Sequence, residues 1–328
     1  YIKKLISKVY KLLVKILVIQ NKMGIGDTVI YLPFIKAISM KFNCPVSLLV
    51  KENSKAKEFL DQTNYIDQVI YKKKNDNNEG ILGTIKLARE LKKYSFEKVY
   101  IFNSSLRFNL VSRLANIKKI YQYPLFKKRE QHITGAAKKL IKENLSIDVN
   151  ENPVIQIDES LVEKTSKKLN IRQDELNILL GIGGSGPTKR IPAKTILAFM
   201  KKIKNFKKCK FFLATGKNEG EQKILEEILD TEFKDQCFPL DNYSIYNTLP
   251  IIKNCNVAVC NDTSFSHLSS ALGVKTITLM ADSPLIYGSY STNMYPIIPD
   301  GEQTVTYNTF GKDKINPEKI FNKLISIL

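Results

Sequence analysis

The 328-residue sequence lacks tryptophan and contains only two histidines and five cysteines. No two cysteines form a CxxC pair and histidines are few, so we expect no zinc site. An odd number of scattered thiols is typical of the reducing cytosol rather than of a disulfide-stabilised secreted protein. No run approaches the ~20 apolar residues needed to cross a bilayer, so we predict a cytoplasmic protein without a membrane-spanning helix.

Acidic residues are also scarce relative to basic ones. The chain has 51 Lys and Arg against 32 Asp and Glu, which gives a net charge of +19. Such an excess suits nucleic acid, an anionic membrane or an acidic substrate, and a compositional bias toward Lys, Ile and Asn is the alternative explanation. The basic runs are dispersed and no basic-aromatic motif is present, so we predict no nucleic-acid partner.

The first residues, YIKKLISKVYKLLVK, place apolar side chains at helical spacing with lysines between them and no acid. This pattern predicts a basic amphipathic helix over residues 1–14. Such a helix can lie in the interface of an anionic inner membrane, which would make the protein peripheral on the inner face of the cytoplasmic membrane. A helix packed on the domain surface is the alternative.

Apolar runs typical of buried strands alternate with helical patterns along most of the chain. The alternation predicts two α/β domains with doubly wound, Rossmann-like parallel sheets. A polar connector near residues 142–177 separates the two halves, and we place the domains at 1–165 and 166–328. A ligand shared by the two domains would lie in a cleft at the carboxyl ends of the strands.

Two strand-to-helix loops are rich in glycine. QNKMGIGDT fits neither a dinucleotide fingerprint, since Val29 replaces its third glycine, nor a P-loop. It delivers Asp27 to the carboxyl edge of the sheet, where an N-cap is the alternative role. GIGGSGPTKRIP ends in Lys189 and Arg190, and its exposed N–H groups beside a lysine favour a phosphate site over a flexible turn.

A third motif, NDTSFSHLSSALG, follows a predicted strand. Asp262 and Thr263 are placed to cap a helix over residues 264–272 that Gly273 closes. The free N–H groups at its start can hold a diphosphate. His267 lies on the same side of this helix as Thr263, and it is either a functional residue or a packing residue.

These motifs, in this order, resemble glycosyltransferase family 9, the bacterial heptosyltransferases of lipopolysaccharide core assembly. KILVIQNKMGIGDTVIYLPFIKAI, FEKVYIFNSSLRFNLVSRLANIKKIYQY, GIGGSGPTKRIP, LATGKNEGE and NDTSFSHLSSALGVKTITL carry the resemblance over most of residues 15–290. It implies a GT-B fold, two Rossmann-like domains facing a cleft, with the last helix packing back on the first domain. It also implies metal-independent, inverting transfer without a cofactor.

The resemblance implies an acceptor site in the first domain and a nucleotide-sugar site in the second. The donor would be ADP-heptose and the acceptor lipopolysaccharide core or a similar lipid-linked sugar. Asp27 would be the general base, and acceptor contacts would come from Gly26, Lys127 and Arg129. The implied donor-binding residues are Gly183, Gly184, Ser185, Thr188, Lys189, Glu221, Asp262, Thr263, Ser264 and His267, with Glu219 as the alternative to Glu221 for the ribose.

Two departures from the family pattern lie on the donor side. Ser264 stands where the family usually has glycine, and Ile191 where it usually has tryptophan. They leave the donor sugar open. A nucleotide-sugar epimerase, and a non-catalytic sugar- or membrane-binding protein of the same fold, are the alternative functions.

Overall fold

A computed structural model of the chain describes residues 14–22, 24–72, 80–124, 133–150 and 152–328. The chain divides into two compact units, the first ending at residue 151 and the second running from Asn152 to Leu328. Each unit is built on a single sheet, and the strands of each sheet pair in parallel.

The first unit contains a five-stranded sheet in the order β3-β2-β1-β4-β5. The order runs outward from β1 in both directions, as in a doubly wound Rossmann-like sheet. Its strands are β1 (Ile16–Ile19), β2 (Val46–Lys51), β3 (Ile66–Lys72), β4 (Lys98–Ile101) and β5 (Lys119–Gln122), and its helices are α1 (Ile25–Phe42), α2 (Ala56–Leu60), α3 (Ile81–Lys92), α4 (Leu106–Leu114) and α5 (Ile133–Leu145).

β1 is the central strand of this sheet, and all four of its residues are buried. Successive side chains of a strand point to opposite faces of the sheet. Leu17 and Ile19 of β1 share one apolar cluster with Leu87 of α3 and Phe108 of α4. Both faces of the strand are covered, which explains why its sequence is a continuous apolar run rather than an alternating one.

The second unit contains a six-stranded sheet in the order β11-β10-β9-β6-β7-β8. Its strands are β6 (Leu176–Gly181), β7 (Cys209–Ala214), β8 (Cys237–Pro239), β9 (Val257–Asn261), β10 (Lys275–Leu279) and β11 (Met294–Ile297). Its helices are α6 (Glu159–Lys168), α7 (Ala193–Phe206), α8 (Glu219–Leu229), α9 (Ile245–Lys253), α10 (Ser264–Ala271) and α11 (Pro317–Ile327). The predicted class of two parallel-sheet α/β domains is confirmed.

The units divide at residue 151 rather than after residue 165, where the sequence analysis placed the boundary. The connector belongs to the second unit through its hydrogen bonds. The Asn152 amide donates to Thr292 Oγ1 at 2.6 Å, and the Ile155 N–H donates to the Ala271 carbonyl at 2.9 Å. These partners lie more than a hundred residues away, so the local composition of the connector did not indicate them.

The final helix, α11, packs on α7. Its residues Ile320, Leu324 and Ile327 belong to the main core of the second unit. Its predicted packing against the first domain stays a prediction. No helix in the described ranges is both long and apolar enough to cross a membrane. Residues 1–13 of the predicted N-terminal amphipathic helix lie outside the described residues.

Candidate functional site

The glycine loop that follows β6 is tied to the end of β9. The side-chain amide of Asn261 donates to the carbonyls of Ile182 and Gly183, each at 3.0 Å. Because β6 and β9 are parallel neighbours, their carboxyl ends lie side by side at the same edge of the sheet. The glycine loop and the start of α10 therefore lie next to each other at this edge.

Lys189 and Asp262 join the two motifs by a short ion pair. Lys189 Nζ lies 2.6 Å from Asp262 Oδ2, and the Ser283 hydroxyl donates to the same oxygen at 2.6 Å. The Asp262 side chain is 7% exposed and that of Lys189 is 21% exposed. Burial acts to raise the pKa of Asp262, but Lys189 and the other partners outweigh it, so the pKa is lowered and the carboxylate is charged.

His267 lies one turn into α10, near the Asp262 carboxylate. Its Nε2 is 3.9 Å from Asp262 Oδ1, and its Nδ1 is 2.8 Å from the Tyr290 hydroxyl. The His267 and Tyr290 rings stack with an interplanar angle of 19°. Burial lowers the pKa of His267 to about 4, against the raising effect of Asp262. The imidazole is therefore neutral at pH 7, and it presents a polar atom without adding charge.

Glu221 binds the glycine loop through the backbone of Gly184. Its Oε1 accepts the Gly184 N–H at 2.5 Å, and its Oε2 accepts from the Asn218 amide. The residue is 7% exposed, whereas Glu219 is exposed. A Cβ at Gly183 would come within 2.6 Å of Glu221 Oε1, so this glycine makes room for the carboxylate. Glu221, rather than Glu219, is the acid that contacts the loop.

The start of α10 is capped by Thr263, whose side-chain oxygen accepts the Phe265 N–H at 3.2 Å. Asp262, which was expected to share this role, instead pairs with Lys189. Ser264 is the first helical residue and is half-buried. Gly273 follows the helix with a φ of 81°, in the left-handed region that favours glycine. The N-terminal end of α10, with its partial positive charge, thus lies directly after Asp262.

Asp27 lies in the first turn of α1, which begins at Ile25, within the segment QNKMGIGDT that was predicted to be a loop. Gly24, at a φ of 97°, is the N-cap residue and provides no side-chain cap, so the N-cap alternative for Asp27 is wrong. Burial lowers the pKa of the nearby Lys22 ammonium, while Asp27 acts to raise it. Burial, with a contribution from Asp27, raises the pKa of Tyr31 to about 12. Asp27 thus stands beside an ammonium group and a neutral phenol at the carboxyl end of β1.

The remaining predicted residues are distributed between the two units. Gly26 is in the first turn of α1. Ser185 is exposed and Thr188 half-buried in the glycine loop. Lys127 and Arg129 lie outside the described residues. Ile191, at the usual tryptophan position, is fully buried in the core of the second unit.

Sequence reasoning missed three groups that support the site: Asn218, Ser283 and Tyr290. Asn218 also caps α8 by accepting the Glu221 N–H. Ser283 follows β10 in the segment MADSP, next to Asp282. Burial acts to raise the pKa of Asp282, but the Phe310 N–H and other hydrogen-bond donors outweigh it and lower the pKa. The position of MADSP after a strand, at the carboxyl edge, was the available signal.

Solved structures of similar fold define the class of the chain. A glycosyltransferase family 9 structure from Veillonella parvula superposes with a TM-score of 0.76 at 17% identity, covering 95% of this chain and 96% of that one. The E. coli lipopolysaccharide heptosyltransferase II structure gives 0.73 at 16% identity, covering 95% and 98%. At these identities the likeness shows the fold, and it confirms the predicted GT-B class.

The sequence itself then gives the family. The profile of glycosyltransferase family 9 (heptosyltransferase) matches residues 84–303, so the chain belongs to that family. It is also 30% identical over 165 residues to lipopolysaccharide heptosyltransferase 1 of Campylobacter coli. That alignment covers 49% of this chain and 47% of the relative, about half the length of each. The resemblance stated from the motifs is thereby confirmed.

Proposed function

We propose that the chain is an inverting, metal-independent glycosyltransferase. It moves a heptose-like sugar from a nucleotide diphosphate donor to lipopolysaccharide core or a similar lipid-linked acceptor. The observation that carries the proposal is the Lys189–Asp262 pair, which joins the glycine loop to the start of α10. Family membership and the E. coli relative, named for ADP-heptose, support ADP-heptose as the donor.

The second unit has the groups that a donor diphosphate needs. Lys189 supplies a positive charge that Asp262 holds in place, and 21% of its side chain is exposed. The N–H groups at the start of α10 add the favourable end of the helix dipole. Together these groups can stabilise the charge that develops on the leaving diphosphate, the role that a metal ion fills in other transferases.

Glu221 and Asp262 give the donor site its acidic groups. The Glu221 carboxylate orders the loop through Gly184 and would meet the ribose by exchanging its Asn218 contact for a hydroxyl. Oδ2 of Asp262 is occupied by Lys189 and Ser283. The other oxygen, Oδ1, is the one we assign to a hydroxyl of the donor sugar, beside the neutral His267 ring.

The first unit supplies the base. As the acceptor hydroxyl oxygen attacks the anomeric carbon, its proton passes to the Asp27 carboxylate. The bond from the anomeric carbon to the diphosphate oxygen breaks, and the electron pair leaves with the nucleotide diphosphate. Attack from the face opposite the leaving group inverts the anomeric centre. Gly26, Lys127 and Arg129 are the proposed acceptor contacts.

Two other functions predict different products. An epimerase would convert the donor alone, and a non-catalytic binding protein would hold nucleotide without turnover. The family-9 match makes both less favoured than transfer.

Incubation of the full chain with ADP-heptose, with and without a short lipopolysaccharide-core acceptor and in the presence of a chelator, distinguishes the three. We expect a glycosylated acceptor of inverted anomeric configuration by NMR, unaffected by the chelator. Donor conversion without acceptor, or nucleotide binding with no product on any acceptor tried, would contradict the proposal.

A further inference from the structure

Three leucines form an exposed stripe on α4. Leu106, Leu110 and Leu114 are 59%, 50% and 48% exposed, and their four-residue spacing places them on one side of the helix. The other side of α4 is buried, with Phe108 and Val111 in the core cluster of the first unit. A surface helix of a globular domain needs only its core-facing side to be apolar. The core of the first unit, in the ranges that the structure describes, therefore does not account for the exposed stripe.

The neighbouring helix also exposes large apolar side chains. α3 packs on α4, and its first two residues, Ile81 and Leu82, are 81% and 74% exposed. We call the five residues Ile81, Leu82, Leu106, Leu110 and Leu114 the leucine face. Large apolar side chains gathered on one exposed surface are typical of a binding surface rather than of scattered exposure.

The two helices that carry the leucine face are basic. Against one acidic residue, Glu90, they contain five basic ones: Lys86, Arg89, Lys92, Arg107 and Arg113. Arg113 is exposed one turn from Leu110, and Lys86 and Arg89 are exposed on α3. A partner for this surface must therefore accept apolar side chains and carry negative charge around them.

We propose that the leucine face docks the protein on an anionic lipid bilayer. The leucines enter the boundary between headgroups and acyl chains, and the basic residues around them contact anionic headgroups. A second copy of the chain fits less well, because it would bring two surfaces of the same positive charge together. The leucine face lies in α3 and α4, and none of its residues belongs to residues 1–14, for which membrane binding is one of two predicted roles.

The position of the leucine face relates it to the acceptor. α3 and α4 each follow a strand of a parallel sheet, so both helices begin at the carboxyl edge. Asp27 lies at the same edge, in the helix that follows β1. In this orientation, which rests on the proposed function, a lipid-linked acceptor would present its sugar to the edge where Asp27 stands while its lipid stays in the bilayer.

The absence of tryptophan offers a direct test. Leu110→Trp places a single fluorophore on the leucine face, and Tyr307→Trp, at a 59% exposed residue of the second unit, is the matched control. With vesicles of equimolar phosphatidylglycerol and phosphatidylcholine, we expect a blue shift and quenching by brominated acyl chains for Leu110→Trp only. No change at Leu110→Trp while the protein sediments with the vesicles would overturn the proposal. A blue shift that increases with protein concentration in the absence of vesicles would overturn the proposal and indicate self-association.

A binding measurement complements the fluorescence. The triple variant L106Q/L110Q/L114Q should lower the vesicle partition coefficient about tenfold or more. The control triple M40Q/V154Q/Y307Q changes three exposed apolar residues outside the leucine face and should leave it within about twofold. Equal partition of the two variants would refute the assignment, and matching thermal unfolding of both verifies that the fold is intact.

Vesicle binding uses neither donor nor acceptor, so its outcome is independent of whether transfer occurs. If transfer does occur, the leucine variant should act normally on a short water-soluble acceptor and slowly on an acceptor embedded in vesicles. Equal loss on both acceptors would count against a docking role.

Discussion

The acidic side chains at the carboxyl edges of the two sheets differ in burial, because Asp262 is buried and Asp27 is half-buried. In the second unit Lys189, Asp262, Ser283 and the His267–Tyr290 pair form a connected network, in which Asp262, Ser283 and His267 are buried. In the first unit Asp27 stands half-buried in the first turn of α1, beside Lys22 and Tyr31. A rigid network suits the binding of a charged diphosphate, whereas a base must remain accessible to an incoming hydroxyl. Under the proposed function, donor binding and proton transfer are assigned to different units.

Lys189→Met is the substitution that we expect to have the largest effect on the second unit. It removes the positive charge and leaves the Asp262 carboxylate buried without its ion-pair partner. We expect a loss of about 3 kcal/mol in the free energy of unfolding, measured with urea. ADP affinity, measured by calorimetry, should fall about 10- to 100-fold. Lys217→Met, which changes an exposed lysine of the same unit, is the control and should do neither. Unchanged ADP affinity in Lys189→Met would remove the lysine from the donor site.

Protonation of His267 tests the same network by pH. Its pKa is about 4 in the folded chain, below the usual value of 6.5, so the unfolded state binds more protons between these two pH values. Stability should therefore fall as the pH is lowered from about 6.5 to 4, by up to about 3 kcal/mol. His267→Gln should flatten this part of the urea-unfolding profile. An identical pH dependence in both proteins would show that His267 is not the group responsible.

Glu221→Gln tests which of two acids in α8, Glu221 or Glu219, contributes to donor binding. The amide keeps the shape of the side chain but weakens the charge-assisted bonds to Gly184 and Asn218. ADP affinity should fall about tenfold, a difference of about 1.4 kcal/mol. Glu219→Gln, two residues earlier and exposed, should bind ADP as the wild type does. Equal effects of the two substitutions would mean that Glu221 and Glu219 remain alternatives for the ribose contact.

The smallest expected effect comes from Ser283→Ala. It removes one of the two donors to Asp262 Oδ2 and keeps the ion pair. The expected cost is about 1 kcal/mol in the free energy of unfolding. Ser289→Ala, at an exposed serine that follows in the chain, is the control. A loss as large as that of Lys189→Met would mean that the hydroxyl, not the lysine, holds Asp262.

The sequence predicted the parts of the fold and site that are local. Parallel sheets followed from the alternation of strands and helices, and Lys189, Asp262 and Thr263 followed from strand-loop-helix segments a few residues long. Ser283 and Tyr290 meet Asp262 and His267 across 21 and 23 residues, and no local spacing encodes such contacts. The division of the chain at residue 151 likewise follows from long-range contacts of the connector. The start of α1 was misplaced because Gly24 and Gly26 were interpreted as loop, although the helix begins directly after Gly24.

The most direct test of the proposed roles of the two units is single-turnover transfer by Asp27→Asn with saturating donor. The account predicts a rate between about 100- and 10,000-fold below that of the wild type. It also predicts ADP and donor affinities within about twofold of the wild type by calorimetry, because the donor network lies in the other unit. Asp61→Asn, at an exposed aspartate after α2, should transfer at the normal rate. A normal transfer rate in Asp27→Asn, or a loss of donor binding equal to the loss of rate, would contradict the account.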